Sequence, residues 1–380
     1  MLPRYRRFFA VLSFLLLATP LVWGMVLPDS PDLILKEGRR LAAPPGAPMS
    51  WDGLRAFPKQ VDAYLQDHFG LRHRMINTHK DLSHPVLMGN ESVLVGRDGR
   101  MFALGNEMVR QSAGLVMRDQ MVTEAADMLA AMRDALANRG IRFLVAVPPN
   151  APTIYQDDLP IWAKSHGRRT EYDLLLDDLA ARGVKAVDLR PVLKSLQSGG
   201  QEIYLKYDTH WTPRGAVAGF NVVVEADGRP DWRVDPASAI GPSQERKGGD
   251  IARLLGVQDD VSEMSESFDL PALGDDEALS EGVMPDHMIT SGKEGPTIMV
   301  IGDSFTASYF PAMLSLHAGR AIWVHHHQCA FDWKLIDRFH PDEVWWAPTE
   351  RFLVCDPGAR PVDFRGVAAM IPPPRSAERP

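Results

Sequence analysis

The chain has 380 residues, 45% of them apolar and 24% charged, enough to bury a real core and too apolar for wholesale disorder. Its 41 basic and 49 acidic side chains leave a formal charge of −8, with no long basic run in the body, which argues against a nucleic-acid binder. Two cysteines, Cys329 and Cys355, are too few for a disulfide-scaffolded miniprotein or a cysteine zinc site.

At the start, Arg4, Arg6 and Arg7 precede an uncharged stretch over residues 8–27, closed by Pro28, Asp29 and Asp32. As a helix this stretch would reach about 30 Å, the thickness of a bilayer's hydrocarbon core. The positive-inside bias then keeps the N-terminus in the cytoplasm and exports the remainder. Two readings of residues 1–28 fit: an uncleaved transmembrane anchor in the inner membrane, or a signal peptide cut near Val22-Trp23-Gly24. Length and the lack of an A-x-A site favour the anchor. Both put the body in an oxidising compartment, where Cys329 and Cys355 can pair if their Cα atoms lie close enough.

Residues 29–50, with Pro44, Pro45 and Pro48, read as a spacer. Apolar residues at helical intervals mark much of 51–90, and ESVLVGRDGRMF reads as two short strands about Asp98-Gly99. From about residue 119 helices and strands alternate. DQMVTEAADMLAAMRDALANRG is an amphipathic helix stopped at Gly140, and EYDLLLDDLAARG and TPRGAVAGFNVVVEA are further helices. Five apolar runs (141–147, 185–189, 297–302, 321–326 and 343–348) separated by helices predict an α/β fold with a parallel sheet covered on both faces. The acidic, weakly periodic residues 227–295 read as an insertion or lid within a single domain over 51–356. The tail over 357–380, ending PPPRSAERP, reads as disordered.

Reactive groups of an open parallel sheet gather at the carboxyl ends of its strands. There Thr297-Ile298-Met299-Val300-Ile301 runs into Gly302-Asp303-Ser304-Phe305 and a helix, a turn that would project the Ser304 hydroxyl beside helical N–H groups able to stabilise an oxyanion. Gly302 would supply the backbone freedom for that turn; alternatively, Asp303 or Ser304 simply caps the helix. A serine needs a base, and Tyr207-Asp208-Thr209-His210-Trp211 offers one. In an extended segment Asp208 and His210 project to the same side, so the carboxylate can hold the imidazole that takes the proton from Ser304. Two other readings compete. Asp208 and His210 could chelate a metal together with His325-His326-His327, or could merely bond loop backbone. Three consecutive histidines in a strand cannot all face one way, and we expect no metal and no cofactor.

DHFGLRHRMI, VLVGRDGRMF, VPPNAPTIYQDDLP, YDTHW, IGDSF and PDEVWWAPTERFL appear in that order. Over roughly residues 50–355 the chain resembles the AlgJ/AlgX-type alginate O-acetyltransferases, whose SGNH hydrolase-like domain acts on exported polysaccharide in the periplasm. The D-T-H-W loop lies before G-D-S-F, whereas ordinary SGNH hydrolases place their Asp-x-x-His pair after the serine. The resemblance implies Ser304 as the acyl-bearing nucleophile, His210 as base and Asp208 as its orienting partner. It also implies a membrane-bound O-acyltransferase that supplies acetyl groups. The chain has no room after Val354 for the carbohydrate-binding module of the AlgX type. Asn150, with the Ser304 N–H, is nominated as oxyanion donor, and Arg351 as a contact to a sugar carboxylate or acetyl oxygen; Asn150 is equally a turn residue, and Arg351 equally an ion-pair partner of Glu350 or another acid. The expected activity is O-acetyl transfer to an exopolysaccharide, alginate-like or neutral. A secreted carbohydrate esterase with the same triad and a non-catalytic scaffold of an acetylation complex are the alternatives.

Overall fold

The computed structural model describes residues 9, 12–15, 19, 44–47, 51–67 and 89–355. The apolar stretch over 8–27, the DHFGLRHRMI motif and the tail over 357–380 lie largely or wholly outside them. Among the described residues no helix is long and apolar enough to cross a membrane. The chain divides into two compact units, Met1–Met88 and Gly89–Pro380. In the first, Trp51–Asp67 forms a helix carrying Pro58 inside it.

In the second unit, β1 (Val93–Val95) and β2 (Met101–Ala103) pair antiparallel, with Asp98 in the left-handed region at the turn between them. After the helix Asp119–Ala137 come β3 (Arg142–Ala146), the helix Glu171–Ala181 and β4 (Ala186–Val187). The helices Arg190–Ser198 and Pro213–Ala226 follow. A hairpin of β5 (Ile240–Lys247) and β6 (Ser262–Phe268), bridged by the short helix Asp250–Leu255, precedes β7 (Asp275–Ala278) and β8 (His287–Thr290). Then come β9 (Thr297–Gly302), β10 (Arg320–His325) and β11 (Glu343–Ala347).

The main sheet has seven strands in the order β4-β3-β11-β9-β10-β8-β7. The five apolar runs supply β3, β4, β9, β10 and β11, and all of these pair in parallel. Strand side chains alternate between faces, so an unbroken apolar run can serve two cores at once. Ile298, Val300 and Trp345 face the core under the helices Arg190–Ser198 and Pro213–Ala226. Met299, Ile301, Val344 and Trp346 face the core under Asp119–Ala137 and Glu171–Ala181.

The sheet is mixed, which corrects the expectation of a purely parallel one. Strand β8 pairs antiparallel with β10, and β7 with β8. Residues 227–295 are accordingly more than a cover, because they extend the sheet edge. The edge strand β7 carries Asp275, Asp276 and Glu277 rather than an apolar run, since an edge strand keeps a solvent-facing side and charges there oppose edge-to-edge association.

Cys329 and Cys355, 26 positions apart in sequence, form a disulfide with Cα atoms 5.5 Å apart. It joins the segment after β10 to the segment after β11. By loop-closure entropy such a link stabilises the native state by about 3 to 4 kcal/mol. The Cys329→Ala/Cys355→Ala double variant is therefore expected to unfold at clearly lower denaturant concentration than the oxidised protein, with an unchanged midpoint as the contradicting result.

Candidate active site

Strands β3, β9, β10 and β11 all end at the same edge of the sheet, and their following turns carry Asn150, Ser304, His326 and Arg351. Ser304 opens the short helix Ser304–Ala307. Asp303 caps that helix, its Oδ1 accepting the Phe305 N–H at 3.0 Å, while its Oδ2 accepts the Thr349 N–H at 2.9 Å and hydroxyl at 2.6 Å. The capping role thus falls to Asp303, which also ties the end of β11 to the end of β9 and leaves Ser304 outward. Gly302 is needed for closeness rather than for an unusual φ: a Cβ there would lie 2.2 Å from Thr306 Oγ1. That oxygen is fixed by its bonds to Asp303 O and Trp323 Nε1.

Asp208 and His210 sit on a loop whose ends are drawn together by an antiparallel bridge between Tyr204 and Trp211. Trp211 is fully buried and its indole N–H donates to the Phe305 carbonyl at 2.9 Å, pinning the loop directly to the serine's helix. Thr212 caps the helix Pro213–Ala226 immediately afterwards. Across this junction His210 Nε2 lies 2.7 Å from Ser304 Oγ. On the other side of the ring, Nδ1 lies 2.6 Å from Asp208 Oδ1, as the extended spacing requires. The network assigns the proton to Nδ1, donating to Asp208, and leaves Nε2 as acceptor of the serine hydroxyl. The three residues singled out from sequence therefore form one hydrogen-bonded chain.

The polar hairpin supplies a clamp that the sequence did not reveal. Arg246 Nη2 donates to Asp208 Oδ2 at 2.7 Å, and the Asp250 N–H to the same oxygen at 3.3 Å. Asp250 also accepts the Thr209 N–H at 2.7 Å and its hydroxyl at 2.5 Å. Glu263 accepts the Lys206 N–H at 2.7 Å and the Tyr207 N–H at 3.3 Å. Between them Gly249 lies so close to the loop that a Cβ would fall 2.3 Å from the Tyr207 carbonyl oxygen and 2.7 Å from Asp208 Cβ. The Gly248-Gly249-Asp250 turn was the one available signal, but nothing in the spacing says which loop it meets.

Burial alone would raise the Asp208 carboxyl, yet the hydrogen bond and charge of His210, with Arg246 beyond, hold it well below the ordinary carboxylate range. Asp208, His210 and Asp250 also place one ligand atom each within 4.8 Å of one another, the spacing a metal ion asks for. His325, His326 and His327 are not part of this group. A cation would compete there with the Arg246 guanidinium, and the imidazole nitrogen that faces the carboxylates carries the proton. Buried His326 is pushed down by burial and stays neutral, packing against Phe352 at 4.9 Å.

The remaining nominated residues have different surroundings. Asn150 is buried at the end of β3, donating its N–H to Glu350 Oε2 at 2.7 Å and its side-chain N–H to Gln111 Oε1 at 3.2 Å. No hydrogen bond joins it to the serine chain among the described residues. Glu350 turns inward, so the alternative of a Glu350–Arg351 ion pair is not realised. Arg351 instead lays its guanidinium over the Phe305 ring at 4.9 Å and the Phe352 ring at 5.2 Å, and makes no ion pair among the described residues. It lines a cleft of about 430 Å³ that also borders Thr209, Asp250, Met108 and Leu254.

A carboxylate depressed in the folded state stabilises the fold above its unfolded value of about 3.9 and loses that contribution as pH falls through the folded one. The stability gap between wild type and Asp208→Asn is accordingly expected to be widest near neutrality and to shrink in acid, as read by denaturant midpoints over the acid range. A gap independent of pH would contradict the ionised, clamped Asp208.

With this geometry in hand, comparison with known proteins gives a consistent result. The family model described as SGNH hydrolase-like domain, acetyltransferase AlgX, matches residues 93–354. The probable alginate O-acetylase AlgJ of Pseudomonas putida is 27% identical over 141 residues, 37% of this chain and 35% of that protein. Its counterpart in Pseudomonas syringae pv. tomato is 24% identical over 205 residues, 52% of this chain and 50% of that one. The matches thus span about a third to a half of these curated relatives. The structure of Bacillus cereus PatB1 is similar in fold, with a TM-score of 0.52 over 70% of this chain and 98% of that one at 13% identity. The extent of the family match, spanning both Asp208-Thr209-His210-Trp211 and Gly302-Asp303-Ser304-Phe305, makes this chain a member of the AlgX acetyltransferase family with an SGNH hydrolase-like domain.

Proposed function

We propose that this protein is an O-acetyltransferase that acylates hydroxyl groups of an exported polysaccharide through a Ser304 acyl-enzyme. The observation that carries the proposal is the single imidazole held at 2.7 Å from Ser304 Oγ and 2.6 Å from Asp208 Oδ1. His210 Nε2 takes the hydroxyl proton as Ser304 Oγ attacks the donor's acetyl carbonyl. Asp208 keeps Nδ1 protonated and stabilises the imidazolium that results. Collapse of the tetrahedral intermediate expels the donor's leaving oxygen, which receives the proton from Nε2. An acceptor hydroxyl then gives its proton to His210 Nε2 as its oxygen attacks the acetyl carbonyl, and collapse of that intermediate breaks the bond to Ser304 Oγ, which takes the proton back from Nε2.

The carbonyl oxygen becomes negative in both halves. Its donors in this mechanism are the Ser304 N–H and the Asn150 amide, both at the carboxyl edge of the sheet. Arg351 brings a cation without an acid partner to the cleft, suited to a sugar carboxylate or acetyl oxygen. The names of the AlgJ relatives make alginate the first acceptor to try. The −8 formal charge opposes a polyanion in general, and a local cation such as Arg351 would offset that repulsion at the cleft. The uncharged stretch over 8–27 after Arg4, Arg6 and Arg7 supports an inner-membrane anchor with the body in the periplasm, next to a membrane-bound O-acyltransferase as acetyl source.

Hydrolysis rather than transfer would need only water in the acceptor position, so a carbohydrate esterase is the rival chemistry. Purified protein is expected to move acetyl from an activated ester to an oligouronate, with acetate release suppressed as acceptor is added. Release indifferent to acceptor would overturn transfer in favour of the esterase. Ser304→Ala and His210→Ala are each expected to lower transfer by on the order of 10⁴-fold with normal folding. Normal polymer acetylation in cells carrying either variant would mean a scaffold instead.

A further inference from the structure

Behind the serine lies a buried polar cluster that the proposed mechanism leaves unexplained. Glu350 is fully buried and forms no ion pair among the described residues. Its Oε2 accepts the Asn150 N–H at 2.7 Å and the Thr153 hydroxyl at 2.6 Å, while its own N–H bonds the Pro148 carbonyl at 2.8 Å. Its other oxygen, Oε1, has no hydrogen-bond partner, and neither has Oδ1 of Asn150. Two buried acceptors without donors, on residues already bonded to each other, are a costly arrangement if both stay acceptors. One proton resolves it. A carboxylic acid is a donor at one oxygen and an acceptor at the other, which is what this pair lacks.

We propose that Glu350 is held as a neutral carboxylic acid whose Oε1–H donates to Asn150 Oδ1, making Glu350 the positioning residue that fixes the Asn150 amide. With Oδ1 so engaged and one side-chain N–H on Gln111, the amide cannot flip, and its second N–H, which has no bond among the described residues, is the one the proposed mechanism gives to the oxyanion. Gln111 is fixed in turn by donating to Glu171 Oε2 at 2.9 Å, itself paired with Arg118 at 2.6 Å. The titratable groups facing Glu350 are Arg190 and Lys194 of the helix Arg190–Ser198, Tyr172 of the helix Glu171–Ala181, and Tyr204. Arg190 is committed to Asp188 at 2.9 Å and Asp173 at 2.7 Å. Burial accordingly pushes the Glu350 carboxyl up to about 7, against the opposing hydrogen bonds from Thr153 and Asn150.

The neutral state is independent of the reaction, whereas the positioning role rests on the acyl-enzyme reading, and the experiment separates them. At about pH 6, where ordinary glutamates with values near about 4.3 are ionised, the infrared spectrum of wild type is expected to show a protonated carboxyl C=O band absent from Glu350→Gln. No difference band there would overturn the neutral acid, whatever the enzyme does. In transfer assays Glu350→Ala is expected to lose about 10-fold or more in kcat with KM little changed. Glu350→Gln, which keeps both a donor and an acceptor, is expected to recover most of that loss. As pH rises through about 7 the wild-type acid ionises and loses its donor, so kcat is expected to fall there in wild type relative to Glu350→Gln. A glutamine variant as impaired as the alanine one, or an identical alkaline fall in both, would overturn the positioning role. Should Ser304 fail to acylate at all, the infrared band still decides the proton.

Discussion

The chemistry of this fold depends on one imidazole shared between a carboxylate and a serine that lie 96 residues apart in sequence, Asp208 to Ser304. Either hydrogen bond alone would be ordinary. Held together at 2.6 and 2.7 Å, they set the tautomer and point the basic nitrogen at the hydroxyl. The surrounding structure makes that geometry stiff. Trp211 pins the loop to the serine's helix, and Asp303 pins that helix to the end of β11. The Arg246, Asp250 and Glu263 contacts hold the loop from the other side.

That clamp also has an electrostatic role. A buried carboxylate is costly unless it is paired, and Asp208 is paired twice, with His210 and with Arg246. Without Arg246 the imidazole would be its remaining charged partner, helped only by the backbone N–H groups of His210 and Asp250. The hairpin of residues 240–268 is therefore part of the site as much as the strands that carry Ser304.

The legible parts of the sequence were those with a strong local pattern. Parallel strands buried on both faces must be apolar throughout, so Thr297–Gly302 and Glu343–Ala347 were visible as runs. The i, i+2 spacing of Asp208 and His210 made their shared direction visible once the segment was read as extended. What stayed hidden has no such periodicity. Strand β5, Ile-Gly-Pro-Ser-Gln-Glu-Arg-Lys, is mostly exposed, so its strand character and its Arg246 contact come from tertiary pairing with β6 rather than from apolar alternation. The antiparallel edge was missed for the same reason. The inward turn of Glu350 against the outward turn of Arg351 depends on a 3-10 turn, Glu350–Phe352, whose side-chain directions the chain spacing does not disclose.

The most direct test is the intact mass of the purified protein after brief exposure to an activated acetyl ester. A single acetyl adduct that maps to the Gly302–Phe305 peptide in wild type, and is absent in Ser304→Ala and strongly slowed in His210→Ala, is the expected result. An adduct elsewhere, or one that forms equally fast without the imidazole, would contradict the activated serine.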